Sequence, residues 1–247
     1  MGYLREAIGI RRRARRCRDY WQNHVDHCRA IILRSIEKCD QRRTVAILGG
    51  GLLNDVPLEE LSRSFENVLL VDIVHPLWSR RRSRALKNVQ RTSADITNTV
   101  LDLYHVSDEP KKPLPHSIPN LFLDRADLDL TVSVNLLSQL PCMPMDYLTQ
   151  MRAHSLEGME AYARDVIQAH LEYLASLPGR VVLITDVERR KLDLMNRVVE
   201  VKDLLFGLKL PKHDEEWEWR LAPCPEADPR HHFYRRVVGI DQFKGVG

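Results

Sequence analysis

The sequence predicts an α/β protein: a doubly wound, mainly parallel sheet with a C-terminal antiparallel strand pair and an N-terminal helical extension. Three observations predict it. Short β-rich runs alternate with helical segments from Thr44 to Asp186, a glycine turn follows the first of those runs, and two further β-rich runs follow the point, after Leu205, where that alternation stops.

The extension comes first. Between Tyr20 and Asp40, Trp21, Val25, Cys28, Ile32 and Ile36 recur at intervals of three and four, the spacing of an amphipathic helix that packs on the main domain. Residues 1–43 carry twelve Arg and Lys against five Asp and Glu, so the basic character is local to the N-terminus. At Thr44 the pattern changes to TVAIL, PLEELSRSF and NVLLVDI, a strand, a helix and a strand. NVQRTSAD, LDLTVSVN and RVVLITD supply three more strands, with a helix around ITNTVLDLYHV. Met159, Tyr162, Ala163, Val166, Ile167, His170, Leu171 and Leu174 mark one buried face of another helix before the fifth strand. EWEWRL at 216–221 and HHFYRRVVGI at 231–240 form the closing pair. Four prolines within residues 107–120 exclude a regular element there. The expected organisation is a basic helical extension, 1–43, and an α/β domain, 44–247.

Composition excludes several classes. No stretch approaches the roughly 18–20 apolar residues of a membrane span. The first residues, MGYLREAIGIRRRARR, lack the apolar core of a secretory signal, and position 6 is Glu rather than the Ser or Thr of a myristoylation signal. A cytoplasmic location is the expectation. Five widely spaced cysteines with no C-x-x-C pair read as free thiols in a reducing compartment, with Cys142 a buried one.

The chemistry concentrates in VAILGGGLLNDVPLEEL. An apolar strand runs into Gly49, Gly50 and Gly51 before a helix with Pro57 in its first turn, so a ligand can approach bare backbone near unpaired helix N–H donors. Asp72 ends the second strand beside that turn, where a carboxylate accepts both hydroxyls of a ribose. The turn is not G-x-G-x-x-G, which disfavours a pyrophosphate cofactor.

With these residues the chain resembles the class I, Rossmann-like methyltransferases over most of residues 44–247, and within them a bacterial branch with a GLL-x-DVPL-x-EL turn. In that family a glycine turn follows the first strand, an acidic residue ends the second and another follows the third; Gly49–Gly51, Asp72 and Asp95 in SADIT match. The resemblance implies S-adenosylmethionine as cofactor, with the glycine turn against its methionine part, Asp72 on its ribose and Asp95 with Ile96 facing its adenine. It also places Asn135, in SVNLLSQLP, near the methyl-transfer site.

Other readings stand beside these. Asp95 suits the N-cap of a helix beginning near Ile96. Asn135 and His170 are candidate catalytic groups, though Asn135 also suits a turn and His170 lies on an apolar helix face. Asp186 ends the fifth strand beside Glu188, and either borders the pocket or is solvated. His24 and His27 offer two metal ligands without a third, so no metal is assigned. RRRARR at 11–16 and RRRSR at 80–84 read as solvated helix faces that also suit phosphate contact. The expected function is methyl transfer from S-adenosylmethionine, with a small-molecule acceptor favoured over nucleic acid. The alternatives are a non-catalytic adenosine-cofactor-binding regulatory module and an NAD-linked oxidoreductase.

Overall fold

The computed structural model describes residues 1–106, 109 and 112–245. Its elements are helices α1 (Tyr3–Arg16) and α2 (Arg18–Glu37), strand β1 (Thr44–Leu48), α3 (Leu58–Ser64), β2 (Asn67–Asp72), α4 (Leu77–Arg84), β3 (Val89–Ser93) and α5 (Val100–Val106). There follow β4 (Leu128–Val134), α6 (Cys142–Met151), α7 (Leu156–Ser176), β5 (Arg180–Asp193), β6 (Val198–Asp203), β7 (Glu215–Ala222) and β8 (His231–Ile240).

The strands form one sheet in the order β3-β2-β1-β4-β5-β8-β7, with β6 paired to β5. The first five are parallel. β8 runs antiparallel to β5, and β7 antiparallel to β8, as the two C-terminal β-rich runs predict. The strand order reverses between β1 and β4, where an open parallel sheet leaves a crevice at its carboxyl edge.

β1 is buried on both faces because it lies in the middle. Val45 and Ile47 join one core with Ile31 and Ile32 of α2, while Ala46 and Leu48 join the opposite core with Ile167, Leu171 and Leu174 of α7. The period of two along the strand thus assigns alternate residues to two helical layers.

The extension is two helices. Glu6 in its first turn and Arg13, Arg15 and Arg16 in its last complement the dipole of α1. α2 buries Trp21, His24, Cys28, Ile31, Ile32, Ser35 and Ile36 along one stripe. Trp21 meets Trp219 of β7 edge to face at 4.8 Å and donates its indole N–H to Leu221 O at 2.9 Å.

Several elements depart from expectation. α6 and β6 were not expected, α4 forms where RRRSR reads as a helix face, and α5 begins at Val100 rather than near Ile96. The Arg-rich α4 lacks an apolar stripe; its buried face is Ser79 and Ser83, whose hydroxyls return to carbonyls of their own segment. β6 is exposed throughout, so burial left no alternation to read. Of the expected loop at 107–120, residues 107, 108, 110 and 111 lie outside the described residues, and 112–120 carry no helix or strand. Among the described residues no helix is long and apolar enough to cross a membrane.

Replacing Trp21 with Ala removes both the ring packing and the N–H bond that dock α2 on β7. A loss of about 3–5 kcal/mol in urea unfolding is expected, with earlier proteolytic cleavage in α1 and α2.

Candidate functional site

A cavity of about 190 Å³ lies at the carboxyl edge of the parallel strands. Gly49, Gly51, Asp72, Asp95, Ile96 and Asn135, chosen from the sequence, all line it; Gly50 does not. Tyr3, Glu6, Ala7 and Ile10 of α1, with Trp21, His24 and Val25 of α2, form the other wall.

The glycine turn is fixed by β2. Gly49 and Gly50 donate their N–H groups to Val71 O at 3.0 and 3.2 Å, and Gly51 donates to Asp72 Oδ2 at 2.9 Å. Two of its positions demand glycine. Gly49 has φ +86°, and a Cβ there meets Val134 O at 2.7 Å; a Cβ at Gly51 meets the Asp72 carboxylate at 2.5 Å. The expected supply of unpaired N–H donors is therefore absent from this turn, because all three bonds are spent on β2. α3, which begins only at Leu58, brings no helix N-terminus directly after the glycines. A pyrophosphate has no backbone cradle here.

Asp72 also accepts Val74 N–H at 3.2 Å. Burial raises its pKa, against the lowering effect of those backbone bonds. The carboxylate keeps lone-pair capacity beyond the backbone N–H groups it accepts. Asp95 acts as a cap: Oδ1 accepts from the N–H and hydroxyl of Thr97, and Oδ2 from Val100 N–H at 2.8 Å, at the start of α5. Both its oxygens are thus engaged at the cavity wall.

Asn135 adopts φ +50° at the end of β4. Its N–H donates to Ile184 O at 2.9 Å and its carbonyl accepts from Gln139 Nε2 at 2.7 Å, so the left-handed geometry is held from both sides. That turn aims its side chain at a buried group not anticipated from the sequence. The amide bonds to Asp55 and lies 3.0 Å from His24 Nε2, with Cys28 Sγ 3.6 Å from the same ring nitrogen. His24 is stacked on Trp219 at 3.9 Å and accepts Trp217 Nε1–H at Nδ1 over 3.1 Å. Burial lowers the His24 pKa to about 3 and pushes the Asp55 carboxyl up.

His24, Cys28 and Asp55 bring three metal-ligand atoms within 4.8 Å of one another. The proton inventory opposes a cation there. Trp217 can only donate, so neutral His24 carries its proton on Nε2, the atom that faces Asp55 and Asn135. The Asn135 amide also fills the space between the three donors. The other histidine of the expected pair, His27, turns instead to Glu215 at 3.2 Å.

His170 lies away from the cavity. It is buried between α7 and the sheet, with Nε2 3.2 Å from Ser133 Oγ, so as placed it is a core histidine rather than a base at the cavity. Asp186 is buried against Ser138 and Arg235, and Glu188 pairs with Arg190 and Arg236; neither lines the cavity. Cys142, expected to be buried, is exposed as a residue in the first turn of α6, while its thiol donates to Ser138 O at 3.4 Å.

No protein-family model and no curated protein matches the chain. Among solved structures it is similar to the DhpI–SAH complex, at 13% identity over 94% of this chain and 95% of that one, with a TM-score of 0.36. It is similar also to the Burkholderia thailandensis 1,6-didemethyltoxoflavin-N1-methyltransferase, at 12% identity, 92% and 86% coverage and a TM-score of 0.34. A third is a SAM-dependent methyltransferase of Leishmania major, at 14% identity, 86% and 73% coverage and a TM-score of 0.34. At such distances the case for function rests on the geometry of the site itself.

Sequence reasoning missed Asp55, Trp217, Trp219 and Tyr3. One signal was present: His24 and Cys28 stand four apart on one helix face, an arrangement that brings side chains together. Their partners come from distant segments and carry no local pattern.

The buried histidines set a pH dependence. Burial lowers His170 to about 3, while the unfolded chain protonates near 6.5. Between those values the native state binds fewer protons, so stability is full above about 6.5 and falls as pH drops toward 3. His170→Gln removes one such group. Its unfolding free energy, measured by urea titration between about pH 6 and pH 4, should fall less steeply than that of the parent by about 1.4 kcal/mol per pH unit.

Proposed function

We propose that the cavity binds S-adenosylmethionine and that the protein transfers its methyl group to an acceptor. One observation carries this reading: the ends of β1, β2, β3 and β4 bring Gly49, Gly51, Asp72, Asp95 and Asn135 to a single cavity, in the crevice where the strand order reverses.

The residues fit such a ligand. Asp72 has acceptor capacity for ribose hydroxyls beside bare backbone at Gly51, and Ile73, Val74, Ala94 and Ile96 give an apolar wall for an adenine. One end of the Asn135 amide and Trp219 Nε1 are buried without a protein partner, and a ligand in the cavity would supply one. The spent N–H groups of Gly49, Gly50 and Gly51 disfavour a dinucleotide, which needs them for its pyrophosphate.

When bound, the cofactor supplies an electrophilic methyl group on a sulfonium sulfur. The protein's part is to position and to exclude water. α1 and α2 cover the strand ends, and Asn135, locked by Gln139 and Ile184, fixes the polar edge of the cavity. With its pKa near 3, His24 stays neutral, its Nε2–H turned toward the Asp55 carboxylate that the Asn135 amide also bonds, and takes no second proton.

Calorimetric titration with S-adenosylmethionine, S-adenosylhomocysteine and NAD tests the reading. Binding of the first two is expected, weakened roughly 10- to 100-fold in Asp72→Ala through loss of hydrogen bonds to a charged group. NAD binding alone, or unchanged affinity in Asp72→Ala, would sink it. A cofactor that binds but never turns over across an acceptor screen would instead favour a regulatory module.

A further inference from the structure

Two basic runs far apart in sequence meet in the fold. Arg11 and Arg15 of α1, Arg18 and Arg29 of α2, and Trp78 and Arg82 of α4 line a second pocket of about 530 Å³. That lies within the range of small-molecule sites, roughly 300–1,000 Å³.

Its charge is largely uncompensated. No Asp or Glu lines it. Arg82 is held by Glu59 and by Leu53 O, and Glu226, from the segment between β7 and β8, pairs with Arg13 and Arg16 of α1. Among the described residues Arg11, Arg15 and Arg18 have no carboxylate ion-pair partner. Arg11 lies 4.0 Å over the Trp78 ring, and desolvation together with the charge of Arg15 lowers its pKa. Arg29 donates to Asn54 O at 3.3 Å and feels the charges of Asp55 and Glu59.

Two donors here point to a ligand independently of the charge. Arg29 Nε and Trp78 Nε1 are buried with no hydrogen-bond acceptor, and orphaned buried donors are costly. Planar guanidinium groups with buried, unfilled donors suit an oxyanion, and phosphate above all. Trp21, Val25, Leu52 and Asn54 line both this pocket and the cavity at the strand ends, so the two adjoin.

We propose that this pocket binds the phosphate group of a small phosphorylated molecule and, resting on the methyl-transfer reading above, that this molecule is the methyl acceptor. Its phosphate sits on the arginines while its other end enters the cavity. A nucleic-acid backbone would call for charge and stacking surfaces along an open groove; here the charges converge on one concavity.

The test titrates ribose 5-phosphate, pyrophosphate, ribose and a single-stranded oligonucleotide into the full chain. It uses the parent, the double variant Arg15→Gln/Arg18→Gln at two exposed positions, and Arg12→Gln outside the pocket as control, with folding checked by circular dichroism. Saturable one-to-one binding of ribose 5-phosphate and pyrophosphate is expected, with none of ribose. The double variant should bind them at least about tenfold more weakly and the control unchanged, while S-adenosylhomocysteine affinity stays the same in all three proteins. Absence of saturable phosphate binding, equal affinity in the double variant, or oligonucleotide binding that ribose 5-phosphate does not displace overturns the pocket. Phosphate binding by a protein that does not bind S-adenosylhomocysteine keeps the pocket and removes the acceptor assignment.

Discussion

The stacking of His24 on Trp219 is the contact on which the rest of the site depends. It joins α2 to β7 at one buried point, and Trp217 closes the other ring nitrogen of the same histidine. A neutral imidazole has one proton, so the indole donor on Nδ1 dictates that the proton faces Asn135 and Asp55. Asp55 belongs to the segment that follows the glycine turn, and Asn135 ends β4. Two indoles of β7 thus set the protonation and orientation of groups from four parts of the chain. Together with the Trp21 contact to the same strand, they fix the helical wall against the strand ends.

The strand ends show a related economy. β2 consumes the three glycine N–H groups, which makes the turn rigid and removes it as an anion cradle. Positive charge is placed instead on the adjoining helices, where arginines of α1 and α2 escape the carboxylates that neutralise their neighbours. Backbone rigidity and anion attraction are therefore handled by different surfaces, one at the cavity floor and one beside its helical wall.

Much of this was legible in the sequence, and the reasons differ by element. β1, β4 and α7 announce themselves because burial on a strand or on one helix face forces apolar runs or three-four spacing. Asp72 was readable because two adjacent parallel strands must end side by side. β6 was not, since an exposed strand buries too little apolar surface to leave a pattern, and α4, with its serine face, showed only as an arginine run. Asp95 was half legible: a cap residue at the mouth of a cavity has the same local sequence as a ligand contact. His170 was readable as a periodic position, yet the layer it faces follows only from the topology. Asp55 with Trp217 and Trp219 was beyond reach, because their meeting depends on the crossing of α2 over β7.

That crossing bears on how the protein is made. α2 lies near the start of the chain and its partner β7 near the other end, with the whole parallel sheet encoded between them. Contacts of such separation form late and slowly. During synthesis the parallel strands and α7 emerge before β7, leaving the apolar stripe of α2 without its indole partners until β7 follows. The nascent chain therefore passes through a stage with its sheet largely available and the Trp21 and His24 end of α2 uncovered, the stage at which a chaperone would have most to hold.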